Sequence, residues 1–253
     1  VLYYERVELP TDKKDAAPAP QSGAAGGLNS MRDETASAAP AGANEEIFNW
    51  GAVAMHAREA EAVNVKRAPV TVAVVDSGVE DTHPDLEGRV DRSRSVKCSV
   101  NGVATQDFYG WRDEFYHGRR VAGSIAAKHD GVGVDGVNLT LRTAAINVAS
   151  RNGGFFYPEY IVCGFVWAAE HSISVTNGSY YVDPWKYWLP NDPEQAAGQE
   201  AVQRAVDYAT SKVVINVVAA GNFSTDVDNL PTTDDSAPGD TWGAHERDVT
   251  GAV

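Results

Sequence analysis

Residues 70–75 are an almost unbroken run of β-branched and small apolar side chains, and the run ends at Asp76. Such a run is typical of a strand that is buried on both faces, as the strands of a parallel sheet are. Ser77 and Gly78 follow and predict a turn. Because sites in open α/β sheets form beyond the carboxyl ends of strands, Asp76 stands where a functional carboxylate is expected. The alternative is that Asp76 only caps the turn, and the strand alone does not decide between these roles.

Segments with strand-like and helix-like patterns alternate along the rest of the chain. Apolar residues at helical spacing predict helices within residues 47–65, from His117 onward, and over residues 158–171 and 194–212. Short apolar runs predict further strands over residues 141–148, 173–177 and 213–219. This alternation predicts an α/β fold with a doubly wound, mostly parallel sheet and helices on both faces.

Residues 1–45 differ in composition from the rest, because most of this segment is rich in alanine, proline, glycine and serine. Such a composition cannot bury enough apolar surface to offset chain entropy, so we expect a flexible arm or linker. Residues 46–253 are then the folded domain. The chain begins with Val1 and shows no signal peptide, and we expect it to be a processed or partial product.

Charge, apolar runs and cysteine content exclude several classes of protein. The chain has 35 acidic and 21 basic residues among 253, a net charge of −14, which argues against a nucleic-acid or anionic-membrane surface. No apolar run approaches the ~18 residues of a transmembrane helix. Cys98 and Cys163 are too few for a disulfide scaffold and lack zinc-site spacing, and the sequence leaves open whether they pair.

Three polar residues stand at the ends of the predicted elements. Asp76 ends a strand, His117 opens a helix and Asn222 follows the strand predicted over residues 213–219. An aspartate that orients a histidine base forms two thirds of a nucleophilic triad. An amide side chain at a strand end can donate a hydrogen bond to a developing oxyanion.

The segments around these residues resemble the motifs of the subtilisin-like serine peptidases (peptidase S8). Residues 72–79 with 83–86 resemble the aspartate motif, residues 117–123 the histidine motif, and residues 218–222 the oxyanion-hole segment. Residues 177–185 are similar to the substrate-binding strand and following loop of secreted actinobacterial members. The resemblance covers the chain from about Trp50 to its end, with the motifs in the family's order.

The resemblance implies a secreted, monomeric serine endopeptidase that acts on polypeptides. Asp76 would hold the imidazole of His117 in the productive tautomer, His117 would take the proton of a serine hydroxyl, and Asn222 would donate to the oxyanion. The resemblance also implies two groups of substrate-binding residues. Ser179, Tyr180 and Tyr181 would pair with an extended substrate. Ala219, Ala220 and Gly221 would line the primary specificity pocket.

The resemblance implies that catalysis requires no cofactor. It also suggests a structural calcium ion. Asp85 and Asp130 match positions that ligate calcium in some relatives, and a carboxylate combined with loop carbonyl groups suits this cation. The alternative is that both are ordinary solvated aspartates.

Two departures from the family pattern bear on activity. The family's serine lies in a Gly-Thr-Ser-Met-Ala-like turn after the oxyanion asparagine, and this chain reaches Val253 without such a turn. We therefore expect a fold that is incomplete at its C-terminal end and cut before the nucleophile. Arg119 and Arg120 stand where the family has threonine and histidine, and two cations would disfavour the imidazolium form of His117.

These departures keep a second hypothesis open, a non-catalytic relative that binds peptides. A third hypothesis is a nucleotide-binding doubly wound domain. It is disfavoured because the glycine-rich residues 131–136 follow a predicted helix, whereas a phosphate loop follows a strand.

Overall fold

The computed structural model describes residues 46–47, 50–63, 70–107, 109–151, 154–183, 188 and 193–219. Its helices are α1 (Trp50–Ala54), α2 (Ala57–Ala62), α3 (His117–Ala126), α4 (Pro158–Glu170) and α5 (Pro193–Ser211). Its strands are β1 (Glu46–Ile47), β2 (Thr71–Asp76), β3 (Val96–Lys97), β4 (Gly133–Val134), β5 (Arg142–Asn147), β6 (Val175–Gly178) and β7 (Ile215–Val218). The predicted arm, residues 1–45, lies outside the described residues.

The main sheet is parallel throughout its described part. Five strands are paired there in the order β3-β5-β2-β6-β7, and every pair runs parallel. Strand β2 lies at the centre, with Asp76 opposite Asn147 of β5 and Val75 opposite Gly178 of β6. The predicted mostly parallel α/β fold is confirmed, and Asp76 lies at the carboxyl edge of the central strand.

Helices cover both faces of the central strand. Ala73 and Val75 point into a core that contains side chains of α4 and α5. Val74 points to the opposite face, where it packs with Ala122 of α3 and with Trp111. Since successive side chains of a strand alternate between faces, this division explains why all of β2 is buried and why its residues 72–75 are apolar.

In three predicted elements, a left-handed backbone turn places a boundary differently from the prediction. The helix predicted within residues 47–65 is two short helices, separated at His56, which has a left-handed backbone with φ of 56°. The strand predicted over residues 173–177 begins only at Val175, after Ser172 has turned the chain with φ of 54°. Strand β7 likewise begins at Ile215, because Val213 has φ of 66° in the turn that ends α5.

The two cysteines form a disulfide. Cys98 and Cys163 have Cα atoms 5.8 Å apart, and their bond connects the segment after β3 to the middle of α4. Both residues are buried in the core that α4 shares with the sheet. Within the described ranges, the structure contains no helix that is long and apolar enough to cross a membrane.

Candidate active site

Asp76 and His117 form a hydrogen-bonded pair at the carboxyl edge of the sheet. His117 Nδ1 lies 2.7 Å from Asp76 Oδ1 and 2.9 Å from Oδ2. The Asp76 side chain is fully buried, and 14% of the His117 side chain is exposed. Because an ionised carboxylate only accepts hydrogen bonds, Nδ1 must carry a proton, which leaves the Nε2 lone pair of neutral His117 available to take another.

The loop after β2 fixes the carboxylate. The N–H of Ser77 donates to Asp76 Oδ1 over 2.6 Å, within a segment that is buried around both residues. Glycine is required at the two points where this loop meets α3. A Cβ on Gly118 would lie 2.0 Å from the carbonyl oxygen of Gly78, and Gly78 has φ of 108° with the Trp111 carbonyl beside it. These close approaches bring the first turn of α3 onto the end of β2.

The environment of His117 favours its protonated form. Burial alone lowers the pKa of His117, and the nearby Arg120 charge lowers it further. The hydrogen bond and charge of Asp76, together with the charge of Asp113, outweigh both effects and raise the pKa above its ordinary value. The imidazolium that would form during proton transfer is therefore stabilised by the carboxylate beneath it.

Asp113 is a site residue that the sequence analysis missed. Its fully buried side chain accepts hydrogen bonds from the backbone N–H groups of Phe115, Tyr116 and Arg119 at the start of α3. It also accepts the hydroxyl of Ser77 over 2.8 Å. A signal was available, since an aspartate shortly before a predicted helix is a frequent capping residue.

Arg119 and Arg120 differ in their effect on His117. Arg119 Nε lies 3.3 Å from Asp113 Oδ2, and its guanidinium group lies 4.4 Å from the centre of the Tyr116 ring. Asp113 therefore compensates the Arg119 charge locally. Of the two arginines, Arg120 lowers the pKa of His117, as the sequence predicted, but the carboxylates of Asp76 and Asp113 outweigh it together with burial, and the pKa is raised overall.

The predicted substrate-binding segment begins where β6 ends. Ser179 follows Gly178, whose partner in β2 is Val75, so this segment starts beside the carboxyl end of β2. Asn177 Nδ2 donates to Ser179 Oγ over 3.0 Å, and the Tyr180 ring stacks on Phe156 with centroids 4.8 Å apart. Tyr181 continues the segment as a partly buried residue.

The second half of the predicted substrate site is described only in part. The N–H of Ala219 donates to the Gly178 carbonyl over 3.0 Å, which joins the ends of β6 and β7. Ala220, Gly221 and Asn222 lie outside the described residues. The predicted oxyanion donor and two residues of the pocket wall therefore stay predictions.

Asp183 is a second buried acid that the sequence analysis did not single out. Its Oδ2 accepts the N–H of Phe156 over 2.7 Å, and its own N–H donates to the Phe156 carbonyl over 2.9 Å. Complete burial raises the pKa of Asp183 to about 7, and the Phe156 hydrogen bond opposes this only in part. These bonds attach the chain beyond Tyr181 to the backbone of Phe156, the residue on whose ring Tyr180 stacks.

Asp85 and Asp130 both contact the loop of residues 128–134. Asp85 Oδ2 accepts the N–H of Val134 over 3.2 Å, and Asp130 Oδ1 accepts the N–H of Val132 over 3.2 Å. In the part of the chain that the structure describes, no group of three or more histidine, cysteine, aspartate or glutamate side chains could hold a metal ion. A cation here would need loop carbonyl groups as its other ligands.

Comparison with known proteins identifies relatives of this arrangement. The model of the subtilase family (peptidase S8) matches residues 67–244, more than half of the chain. Fervidolysin of Fervidobacterium pennivorans is 33% identical over 190 residues, which cover 72% of this chain and 25% of that protein. Subtilisin E of Bacillus subtilis is 32% identical over 171 residues, which cover 68% of this chain and 38% of that protein.

Two solved structures share the fold. The epidermin leader peptide processing serine protease EpiP of Staphylococcus aureus superposes with a TM-score of 0.51 and 24% identity, over 65% of this chain and 40% of that one. The nisin leader peptidase NisP of Lactococcus lactis superposes with a TM-score of 0.52 and 24% identity, over 67% of this chain and 48% of that one. The chain thus spans between a quarter and about half of these four relatives.

Proposed function

This chain belongs to the subtilase family of serine peptidases, and from that premise we propose that it forms the acid–base part of a serine endopeptidase active site. The observation that carries the proposal is the buried pair of Asp76 and His117, joined at 2.7 Å. The pair combines an orienting carboxylate with an imidazole whose second nitrogen is available as a base. Its position at the carboxyl end of the central strand is the usual place for a site in an α/β fold.

In the proposed reaction, His117 Nε2 takes the proton of a serine hydroxyl while the serine oxygen attacks the carbonyl carbon of a peptide bond. The imidazolium then gives this proton to the leaving amine, and an acyl-enzyme remains. Water hydrolyses the ester in a second step, with His117 again acting as the base. Asp76 keeps Nδ1 protonated throughout, and Asn222 is the proposed donor to the oxyanion.

We propose that the nucleophile is a serine of the natural protein outside this sequence. Among the described residues, no serine hydroxyl is hydrogen-bonded to His117. Ser77 follows Asp76 directly, but its hydroxyl donates to Asp113 and accepts from the N–H of Gly118. The order aspartate, histidine, serine is that of subtilisin, and the chain spans only 38% of subtilisin E.

The proposed substrates are polypeptides in an extended conformation that pair with Ser179, Tyr180 and Tyr181. Ala219, Ala220 and Gly221 are the proposed lining of the primary specificity pocket. We propose a secreted monomer that uses neither nucleic acid nor a membrane as a partner. The disulfide between Cys98 and Cys163 supports an oxidising location, and the net charge of −14 supports the absence of nucleic acid.

A structural calcium ion near Asp85 and Asp130 is also a proposal. The donors fit in type, because a largely buried carboxylate lies against a loop that offers carbonyl oxygens. Calcium titration by calorimetry, with thermal unfolding at each concentration, tests it. Saturable binding that raises the unfolding temperature and is lost in Asp85→Asn supports a site, whereas binding that is unchanged in this variant contradicts it.

The experiment that tests the enzyme proposal is labelling of the full-length natural protein with a fluorophosphonate, which reacts with an activated serine. We expect one labelled serine, no labelling in His117→Gln, and labelling slowed by about 10⁴-fold in Asp76→Asn, the loss that follows removal of the orienting carboxylate in a triad. His56→Gln is the matched control, because His56 faces Glu59 in an exposed pair. It should be labelled at the normal rate.

Two outcomes decide against the enzyme. Peptide binding without labelling of the wild-type protein would favour the non-catalytic peptide-binding relative. Labelling that is the same in wild type and in His117→Gln would show that His117 is not the base.

A further inference from the structure

One buried carboxylate, that of Asp113, accepts several hydrogen bonds from groups at and just before the start of helix α3. Asp113 Oδ1 accepts the N–H groups of Phe115 and Tyr116 over 2.8 and 2.9 Å, and the Ser77 hydroxyl over 2.8 Å. Its Oδ2 accepts the N–H of Arg119 over 3.1 Å. The first turn of a helix leaves N–H groups without partners in the helix. Here Asp113 accepts that of Arg119 and those of the two residues just before the helix, Phe115 and Tyr116.

Ser77 connects this cap to the catalytic carboxylate. The Ser77 hydroxyl donates to Asp113 and accepts the N–H of Gly118 over 2.9 Å, while the Ser77 N–H donates to Asp76. His117 lies between these contacts, since its neighbour Gly118 is hydrogen-bonded to Ser77 and the His117 ring is hydrogen-bonded to Asp76. Displacement of the first turn of α3 would therefore move the imidazole relative to Asp76.

Arg119 balances the charge that this arrangement buries. The Asp113 side chain is fully buried, and Arg119 Nε lies 3.3 Å from its Oδ2. Burial raises the pKa of Asp113, while its hydrogen bonds and the Arg119 charge act in the opposite direction. A buried carboxylate that loses its cation tends to take up a proton, and a protonated Asp113 would be a poorer acceptor for the start of α3.

We propose that Asp113 and Arg119 are positioning residues for His117, and that their ion pair holds the first turn of α3 against Ser77 so that the imidazole stays aligned with Asp76. This inference rests on the proposed function, because alignment matters only if His117 acts as a base. Arg119 stands where the resembled family has threonine, so the cation that balances Asp113 is a feature of this chain and not of the usual family motif. A misplacement of 1 Å at a reacting group can reduce the rate by about 10²-fold.

The charged groups around the pair come from three elements. Asp76 faces His117 from β2, Asp113 faces it from the preceding loop, and Arg120 acts on it from within α3. Asp113 in turn faces Arg119 of α3 and the Ser77 hydroxyl. Removal of Asp113 should therefore change both the charge near His117 and the anchoring of its helix.

The test is NMR of the histidine rings in the full-length protein, labelled with ¹⁵N-histidine and titrated with acid and base. The signals report the pKa and tautomer of His117 and the strength of its Nδ1–H bond to Asp76. In Asp113→Asn, we expect a lower pKa of His117 and a weakened, exchange-broadened Nδ1–H signal. In Arg119→Met, we expect the Nδ1–H signal to be lost on acidification at a higher pH than in wild type, because Asp113 takes up its proton earlier.

A matched control separates positioning from general stability. Asp91 accepts hydrogen bonds from Ser93 within its own turn and lies 3.9 Å from Arg94. Asp91→Asn and Arg94→Met thus remove an acid and its cation at a turn away from α3. These variants should leave the pKa and the Nδ1–H signal of His117 unchanged, even where they lower the unfolding temperature.

Unchanged His117 signals in folded Asp113→Asn, or an unshifted acid transition in Arg119→Met, would overturn the proposal. If Asp113→Asn does not fold, Arg119→Met decides the question alone. The fluorophosphonate labelling rate is the second measurement, and we expect it to fall by up to about 10²-fold in both variants. If the wild-type protein is not labelled, the proposed function fails, but the NMR result still decides whether the ion pair positions His117.

Discussion

Replacement of both Cys98 and Cys163 by alanine is expected to lower the free energy of unfolding by about 4 kcal/mol. The disulfide joins residues that are 65 positions apart. In the chain-entropy description, closing a loop of this length removes about 14 cal/mol/K of entropy from the unfolded chain, which corresponds to about 4 kcal/mol at 25 °C. The alanine variant regains this entropy when it unfolds, so its unfolded state becomes more favourable.

The expected loss is one of stability rather than of site geometry. The closed loop contains α3 and β5, but Asp76 and His117 are held together by contacts between β2 and α3 that do not pass through the disulfide. The native Asp76–His117 pair should therefore persist in the variant at low denaturant concentration. Its His117 ring signals should match those of wild type.

Unfolding in urea, followed by tryptophan fluorescence, measures the difference. The samples for unfolding carry His117→Gln, which prevents self-digestion if the protein is an active peptidase, whereas the His117 ring signals are compared in proteins that keep His117. We expect the reduced protein and the alanine variant to be less stable than the oxidised protein by similar amounts. The reasoning is refuted if the native oxidised protein contains two titratable thiols, or if the alanine variant is within about 1 kcal/mol of the oxidised protein.

Three further predictions concern the site and its pH dependence. Gly118→Ala should displace α3 and lower the free energy of unfolding by about 1–3 kcal/mol, because its Cβ would lie 2.0 Å from the Gly78 carbonyl oxygen. Gly123→Ala should be tolerated, because its Cβ would meet nothing closer than 3.9 Å. Denaturant unfolding compares the two variants. The pKa of Asp183 is raised to about 7, so stability should fall as pH rises from about 4 to about 7, and Asp183→Asn should abolish that slope in unfolding titrations. Since the pKa of His117 is raised and the base must be neutral, kcat/KM of the full-length protein should increase with pH with a midpoint above 6.5.

The central strand and its catalytic candidates could be predicted because their signals are local. A strand buried on both faces must be apolar on both, so residues 70–75 indicated a central parallel strand before any partner was known. The helix at His117 followed from apolar spacing in the same way. The carboxyl edge of a parallel sheet then brought Asp76 and the start of α3 together, as the predicted topology required.

The remaining features depend largely on contacts between distant parts of the chain. The place of Asp113 shortly before α3 indicated a capping residue, but its link to the site followed from no local pattern. Asp113 gains its role from Ser77, which is 36 positions earlier, and Cys98 gains its partner 65 positions later. The backbone turns at Ser172 and Val213 use left-handed conformations that these residue types rarely adopt, so sequence patterns placed both strand starts too early.

The arginines beside His117 bear directly on the choice between an enzyme and a peptide-binding relative. On sequence alone, two cations next to a histidine base favour the binder, because they oppose the imidazolium. In the folded chain, the Asp113 carboxylate compensates the charge of Arg119, and Asp76 outweighs the effect of Arg120 on the pKa of His117. The histidine motif thus departs from the family in residue type, yet the net effect of its surroundings is to raise the pKa of His117. The distinction between the two hypotheses therefore depends on the nucleophile and not on the arginines.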